Sequence, residues 1–136
     1  MIVVDASVAL KWFVDEDRTP AAVALLAGSH DLIAPELIIG EMCNTAWRMW
    51  RIGRMTKEQV AIVAAQAGHA LRELVSLDIL SVRASRIAME LDHPAYDCFY
   101  LALAEQRETR VVTANSRFIA KTRGSPWAEH VVALAT

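Results

Sequence analysis

The chain opens on a β-branched run, Ile2-Val3-Val4, the mark of a short buried strand. Asp5-Ala6-Ser7 breaks that run, and residues 8–14 take up helical apolar spacing. Asp15-Glu16-Asp17 reads as a solvated loop. Thr19 as N-cap, Pro20 at the first helical position and Gly28 as the stop predict a short helix over 20–27. Leu32-Ile33-Ala34 is a second strand, and Pro35 opens a longer helix ending near Gly53. Thr56-Lys57-Glu58-Gln59 matches a capping box. The apolar positions Val60, Val63, Ala64, Ala67, Leu71 and Leu74 extend that helix to about Leu74. A short strand is expected within 77–80 and a helix over about 83–91. Asp92-His93-Pro94 interrupts the pattern, and Pro94 begins a helix reaching about Gln106. Val111-Val112-Thr113 is a further strand, and residues 130–134 make another. Short apolar strands alternating with helices predict an α/β fold with a parallel sheet covered on both faces. No repeat, linker or low-complexity segment divides the chain, so one domain is expected over residues 1–136.

Composition narrows the class. At 136 residues and 54% apolar, the chain can bury a core without disulfides or a structural metal. Disorder is excluded. Lys and Arg number 14 against 16 Asp and Glu, a net charge of −2, so any handling of nucleic acid must rest on local features. No apolar run reaches the length of about 20 residues that a membrane span needs. The N-terminus lacks the basic region of a signal peptide. Cys43 and Cys98 lack CxxC spacing and read as reduced, buried thiols. A cytoplasmic protein is the expectation.

Three carboxylates are out of place for a purely structural reading. Asp5 directly follows a buried strand, where ligand sites form in open α/β sheets, though Asp also suits the N-cap of the next helix. Glu41 heads a polar stripe with Asn44 and Arg48, three and seven residues on, which is also how the solvated face of a helix looks. Asp97 sits in a helix apolar nearly all round, where a lone carboxylate costs several kcal/mol unless something pairs with it. A first-turn position at the positive end of the helix dipole accounts for the turn but not for the apolar surroundings. In a parallel sheet the strand ends share one edge, so the three acids can converge. Their mutual repulsion is relieved by a hard divalent cation, Mg²⁺ or Mn²⁺, which takes oxygen ligands. That combination points to metal-assisted phosphodiester hydrolysis.

Four segments then carry a resemblance. Residues 3–13, Val-Val-Asp-Ala-Ser-Val-Ala-Leu-Lys-Trp-Phe, strongly resemble the opening of PIN-domain ribonucleases, above all the VapC toxins of bacterial type II toxin–antitoxin pairs. Pro35-Glu36-Leu37 through Glu41-Met42-Cys43-Asn44 resembles the second motif, an acid followed by Asn three positions later. Residues 93–105, from His93 through Asp97 to Glu105, look like the third motif, and residues 111–118 resemble the last. The likeness spans essentially the whole chain. It implies a PIN-like fold with about five parallel strands, a homodimer, a Mg²⁺-dependent endoribonuclease acting on RNA, and a VapB-like antitoxin partner in the active-site groove. By motif, Asp5, Glu41 and Asp97 map onto the acidic metal site. Ser7 and Thr113 map onto supporting hydroxyls, and Asn44 onto the polar residue beside the second acid.

Asn115 departs from the family pattern, which often has Asp there. A neutral amide carries no fourth charge, although its carbonyl oxygen can still ligate. One well-held Mg²⁺ is therefore expected, with a second ion left open. His93 lies one helical turn before Asp97 and reads as a capping residue at the helix start more than as part of the site. A Cys98 nucleophile is set aside because consecutive helical residues point about 100° apart. Arg48 and Arg51, with Trp47 and Trp50 interleaved, and Arg117 near the last motif are candidates for RNA phosphate contacts. The tryptophans, with Trp12 and Phe13, read as core or interface. Two other classes stay open: a catalytically weak interaction module that keeps the fold, and a carboxylate-metal phosphatase or DNA nuclease.

Overall fold

In the structure, a computed structural model describing residues 1–136, five short parallel strands form one sheet in the order β3-β2-β1-β4-β5. They are β1 (Ile2–Val4), β2 (Leu32–Pro35), β3 (Glu73–Val75), β4 (Val111–Thr113) and β5 (Val131–Ala133). Every residue of β1, β2 and β4 is buried, so both faces of the sheet centre are covered, as their unbroken apolar runs require. Seven α-helices surround the sheet: α1 (Ala6–Ala9), α2 (Thr19–Ala27), α3 (Leu37–Arg51), α4 (Lys57–Gln66), α5 (Ser81–Leu91), α6 (Ala95–Gln106) and α7 (Ser116–Thr122). Helix α6 packs across β1, β2 and β4, which explains why Cys98 and Tyr100 to Ala104 are all buried.

The order of the strands decides where a site can form. From β1 the chain moves outward to β2 and β3, then crosses back to lay β4 on the other side of β1. The carboxyl ends of β1 and β4 thus flank the point where winding reverses, where open α/β sheets bind ligands. Val3 pairs with Val111 and Val4 with Val112, which brings Asp5 level with Thr113.

Four local expectations are corrected. Helix α4 stops at Gln66 instead of near Leu74. A turn at Gly68 redirects the chain, and Arg72 N–H donates to Leu32 O at 2.8 Å, drawing residues 73–75 into the sheet. Pairing along β2 overrides the helical spacing of Leu71 and Leu74. A Cβ on Gly68 would stand 3.0 Å from Leu74 Cδ1 and 3.1 Å from Ile39 Cδ1, so the turn packs tightly there. Residues 77–79 form a 3-10 turn rather than a strand, and the place beside β2 is taken by 73–75. Thr19 does not cap α2: its hydroxyl accepts from Glu16 N–H at 2.9 Å, and Arg18 holds the capping position with φ +64°. Helix α7 was not anticipated by apolar spacing. It is started by Asn115, whose side-chain oxygen accepts from the backbone N–H groups of Arg117 and Phe118 at 3.0 and 3.2 Å. The Thr56–Gln59 capping box is present in both directions. Both cysteines are free.

Candidate functional site

Asp5 sits at the end of β1 and caps α1, with Oδ1 accepting from Val8 N–H at 3.2 Å and from the Ser7 hydroxyl at 2.6 Å. Its Oδ2 accepts from the Thr113 hydroxyl, which reaches across from the end of β4. The Ser7 hydroxyl in turn accepts from Ala114 N–H at 3.0 Å, and Thr113 Oγ1 accepts from Asn115 N–H at 3.0 Å. The N-cap reading of Asp5 and its place at the strand end are therefore both true. Burial pushes the Asp5 carboxyl up to about 6, against the hydrogen bonds from Ser7, Thr113 and Val8, and the charge of Asp97 adds to the rise.

Glu41 comes from the first half of α3. Its Oε1 accepts from the Tyr100 hydroxyl at 2.6 Å, a bond from α6. Burial raises its carboxyl above the ordinary value, and the charges of Asp97 and Asp5 raise it further. Asp97, in the first turn of α6, is bonded through Oδ2 to His93 Nε2 at 2.6 Å. His93 was expected to cap α6. Instead Pro94 holds the capping position without a side-chain bond, and the His93 ring lies flat against Phe118 while it grips Asp97.

Asp5, Glu41 and Asp97 line one cleft of about 850 Å³ together with Ser7, Tyr100 and Asn115. Each acid is held by the fold and has acceptor capacity left over. Glu41 Oε2 and Asp97 Oδ1 take no hydrogen bond, and Asp5 Oδ2 takes only the one from Thr113. No group of three His, Cys, Asp or Glu side chains is drawn up tightly enough to hold an ion unaided. The acids share an open cleft and do not form a closed cage. This donor set fits Mg²⁺, which takes carboxylate oxygens and usually keeps several waters.

The other candidates divide. Thr113 does not line the cleft but stands fully buried behind Asp5. Arg48 and Arg51 line the cleft, both exposed, and the Arg51 guanidinium lies 5.5 Å from the Trp47 ring centre. Asn44 lies exposed outside the cleft lining and makes no bond to Glu41. The polar stripe on α3 runs instead through Thr45, which donates to Glu41 O at 3.0 Å and accepts from Arg48 Nη2 at 3.4 Å. The cleft-facing side of α3 follows the i, i+4, i+7 row, and Asn44 falls off it. Arg117 is exposed on α7 and outside the cleft lining. Both lone pairs of the Asn115 side-chain oxygen are engaged by capping, so its amide oxygen is not a ready ligand. Trp47 and Trp50 are surface residues, while Trp12 is partly buried with its indole N–H on Ala22 O at 2.8 Å. Burial and the neighbouring Asp97 push the Cys98 thiol up to about 12, which leaves it inert as a nucleophile.

Three cleft residues escaped sequence reasoning. They are Tyr100, Lys11 and Arg18, to which the sequence pattern assigns no role in a site. The only local signal was that Tyr100 follows Asp97 by one turn.

A Pyrobaculum aerophilum protein named Ribonuclease VapC3 is 25% identical over 122 residues, covering 88% of this chain and 93% of the relative. The crystal structure of PAE2754 from Pyrobaculum aerophilum superposes with a TM-score of 0.66 at 26% identity, covering 98% of this chain and 88% of that one. A toxin–antitoxin complex from Klebsiella pneumoniae shares the fold with a TM-score of 0.67 at 14% identity, covering 99% and 98%. The PIN domain model matches residues 2–124, which hold all three acids and Thr113, and the chain belongs to the PIN-domain family.

Proposed function

We propose that the chain is a Mg²⁺-dependent endoribonuclease, the toxin of a VapBC-type pair. The observation that carries this reading is the convergence of Asp5, Glu41 and Asp97 on one cleft at the winding reversal, with Glu41 Oε2 and Asp97 Oδ1 uncommitted and Asp5 Oδ2 holding a single hydrogen bond. Burial, and after it the charges of the neighbouring acids, raises the carboxyls of Asp5 and Glu41, and a bound cation would favour their charged forms against both. The name of the Pyrobaculum relative supplies the substrate class.

Asp5 and Asp97 would hold the ion, with Ser7 and Thr113 fixing the first carboxylate and His93 the second. When bound, a hard divalent cation offsets charge developing on the phosphate and makes the attacking water more acidic. Mn²⁺ fits the same oxygen donors. Tyr100 holds Glu41 by Oε1, so Oε2 is the acceptor for the proton of the attacking water. Arg48 and Arg51, on the α3 wall, offer phosphate contacts along the strand.

The same reading gives the chain a VapB-like antitoxin that covers the cleft, a second copy as homodimer partner and a cytoplasmic setting. Exposed Trp47, Trp50 and Ile52 near the cleft support a protein partner there. No helix is long and apolar enough to cross a membrane.

The test is cleavage of RNA by the purified chain with Mg²⁺ and with EDTA. Asp5→Asn and Asp97→Asn should each lose at least about a hundredfold in rate. If Asp5→Ala and Asp97→Ala remain as toxic on expression as the parent, the nuclease reading is wrong. Equal cleavage of DNA would favour a DNA nuclease instead.

A further inference from the structure

Arg18 is built into the cleft in a way no other basic residue is. It enters α2 with φ +64°, a backbone region that costs a non-glycine residue energy. That conformation carries its side chain back to the sheet, where Nη2 donates to Ala114 O at 3.2 Å. Ala114 is the residue whose N–H donates to Ser7, and it follows Thr113, which donates to Asp5. Two consecutive residues thus position both the first acid and this guanidinium. Arg18 lines the same cleft as Asp5, Glu41 and Asp97.

The charge is also answered only weakly. Arg18 Nε is buried and donates to nothing. Its nearest acid, Asp17 at 3.5 Å, is 90% exposed and well screened by water. Lys11 makes the contrast: it lines the same cleft but is closed off by Glu16 at 3.1 Å. Arg48, Arg51 and Arg54 are exposed on or beyond the end of α3. A part-buried guanidinium that is fixed by one bond to Ala114 O and paired only with an exposed, screened carboxylate has donors to offer an anion, and a planar fork suits a phosphate.

We propose that Arg18 is the phosphate-binding residue of the cleft: it receives a non-bridging oxygen of a backbone phosphate of the bound RNA strand, next to the three carboxylates. The proposal rests on the reading of the cleft as an RNA-cleaving site and names the residue that seats the strand. Arg18 acts on binding, with the chemistry left to the acids.

The experiment is fluorescence anisotropy of a labelled single-stranded RNA with the full chain in EDTA, where nothing is cleaved. Arg18→Gln should weaken binding about tenfold and lower the salt slope by about 0.7, the share of one phosphate contact on a single strand. Arg18→Lys should recover part of the affinity. Arg86→Gln, an exposed arginine on α5 away from the cleft, should change neither quantity. Arg18→Gly removes the guanidinium while relieving the backbone at φ +64°, so it should weaken binding equally with no loss of thermal stability. RNA binding by Arg18→Gln and Arg18→Gly equal to the parent, with the same salt slope, would overturn the proposal and leave the nuclease reading standing. A parent chain that binds and cleaves no RNA would overturn both.

Discussion

The Tyr100 hydroxyl donates to Glu41 Oε1 at 2.6 Å, tying together two helices through residues 59 positions apart. Tyr100 is buried, so this bond is what satisfies its hydroxyl, and it favours the charged form of Glu41 against the burial that raises it. Tyr100→Phe keeps the ring and removes the bond. The variant should lose about 1 kcal/mol in a urea titration. Its acid limb in a pH–rate profile should move to higher pH, because Glu41 then takes a proton more readily. An acid limb that stays in place would show that Glu41 does not govern the rate.

Asp5 makes the apo protein pH-sensitive. Its carboxyl stands at about 6 in the fold against about 3.9 in the unfolded chain. Between those values the folded state binds more protons, so this group's contribution to stability falls as pH rises from 4 to 6 and stays low above. Asp5→Asn should therefore melt several degrees higher than the parent at pH 8 in EDTA, by at most on the order of 3 kcal/mol. The two should melt alike at pH 4. Calorimetric scans at both pH values decide it.

Cation binding should carry the opposite pH dependence. An ion held by Asp5 competes with its proton, so affinity for Mn²⁺ or Mg²⁺ should weaken roughly tenfold per pH unit below about 6. Titration calorimetry at pH 5, 6 and 7.5 would show this. A flat affinity across that range would remove Asp5 from the ligand set.

Asn115 does two separable things. Its side chain caps α7 through two backbone N–H groups. Asn115→Ala should cost about 1 kcal/mol, the usual loss of an N-cap. Asn115→Asp should keep the cap, since Asp serves as well, and should add charge at the cleft rim. The metal stoichiometry of that variant should rise in a calorimetric titration; a stoichiometry equal to the parent's would count against a second site here.

How much of this was legible in the chain depends on the range of the interaction. Asp97 stood out because an acid in an apolar helix is a local anomaly, visible within a dozen residues. Strand β1 and the capping box at Thr56 were likewise written locally. His93 was misjudged because a ring one turn before Asp97 can cap or pair, and only packing against Phe118 selects pairing. Helix α4 was overextended because pairing of residues 73–75 with β2 is a tertiary choice that helical spacing does not register. Arg18 and Tyr100 were silent for the same reason. Their partners, Ala114 and Glu41, lie 96 and 59 positions away. Asn44 failed on angular grounds: the cleft side of α3 follows the four-residue row, which passes through Thr45.

The bond between Thr113 and Asp5 has a temporal meaning. It joins Asp5 to a residue made 108 positions later. A chain cut before Thr113 holds Asp5, Glu41 and Asp97 in covalent order, but lacks the strand that sets the first of them in place. During synthesis Asp5 waits through almost the whole chain for the residue that fixes it, and Asp97 is added only shortly before that residue. The first acid of the cleft therefore gains its full set of partners only when β4 docks beside β1.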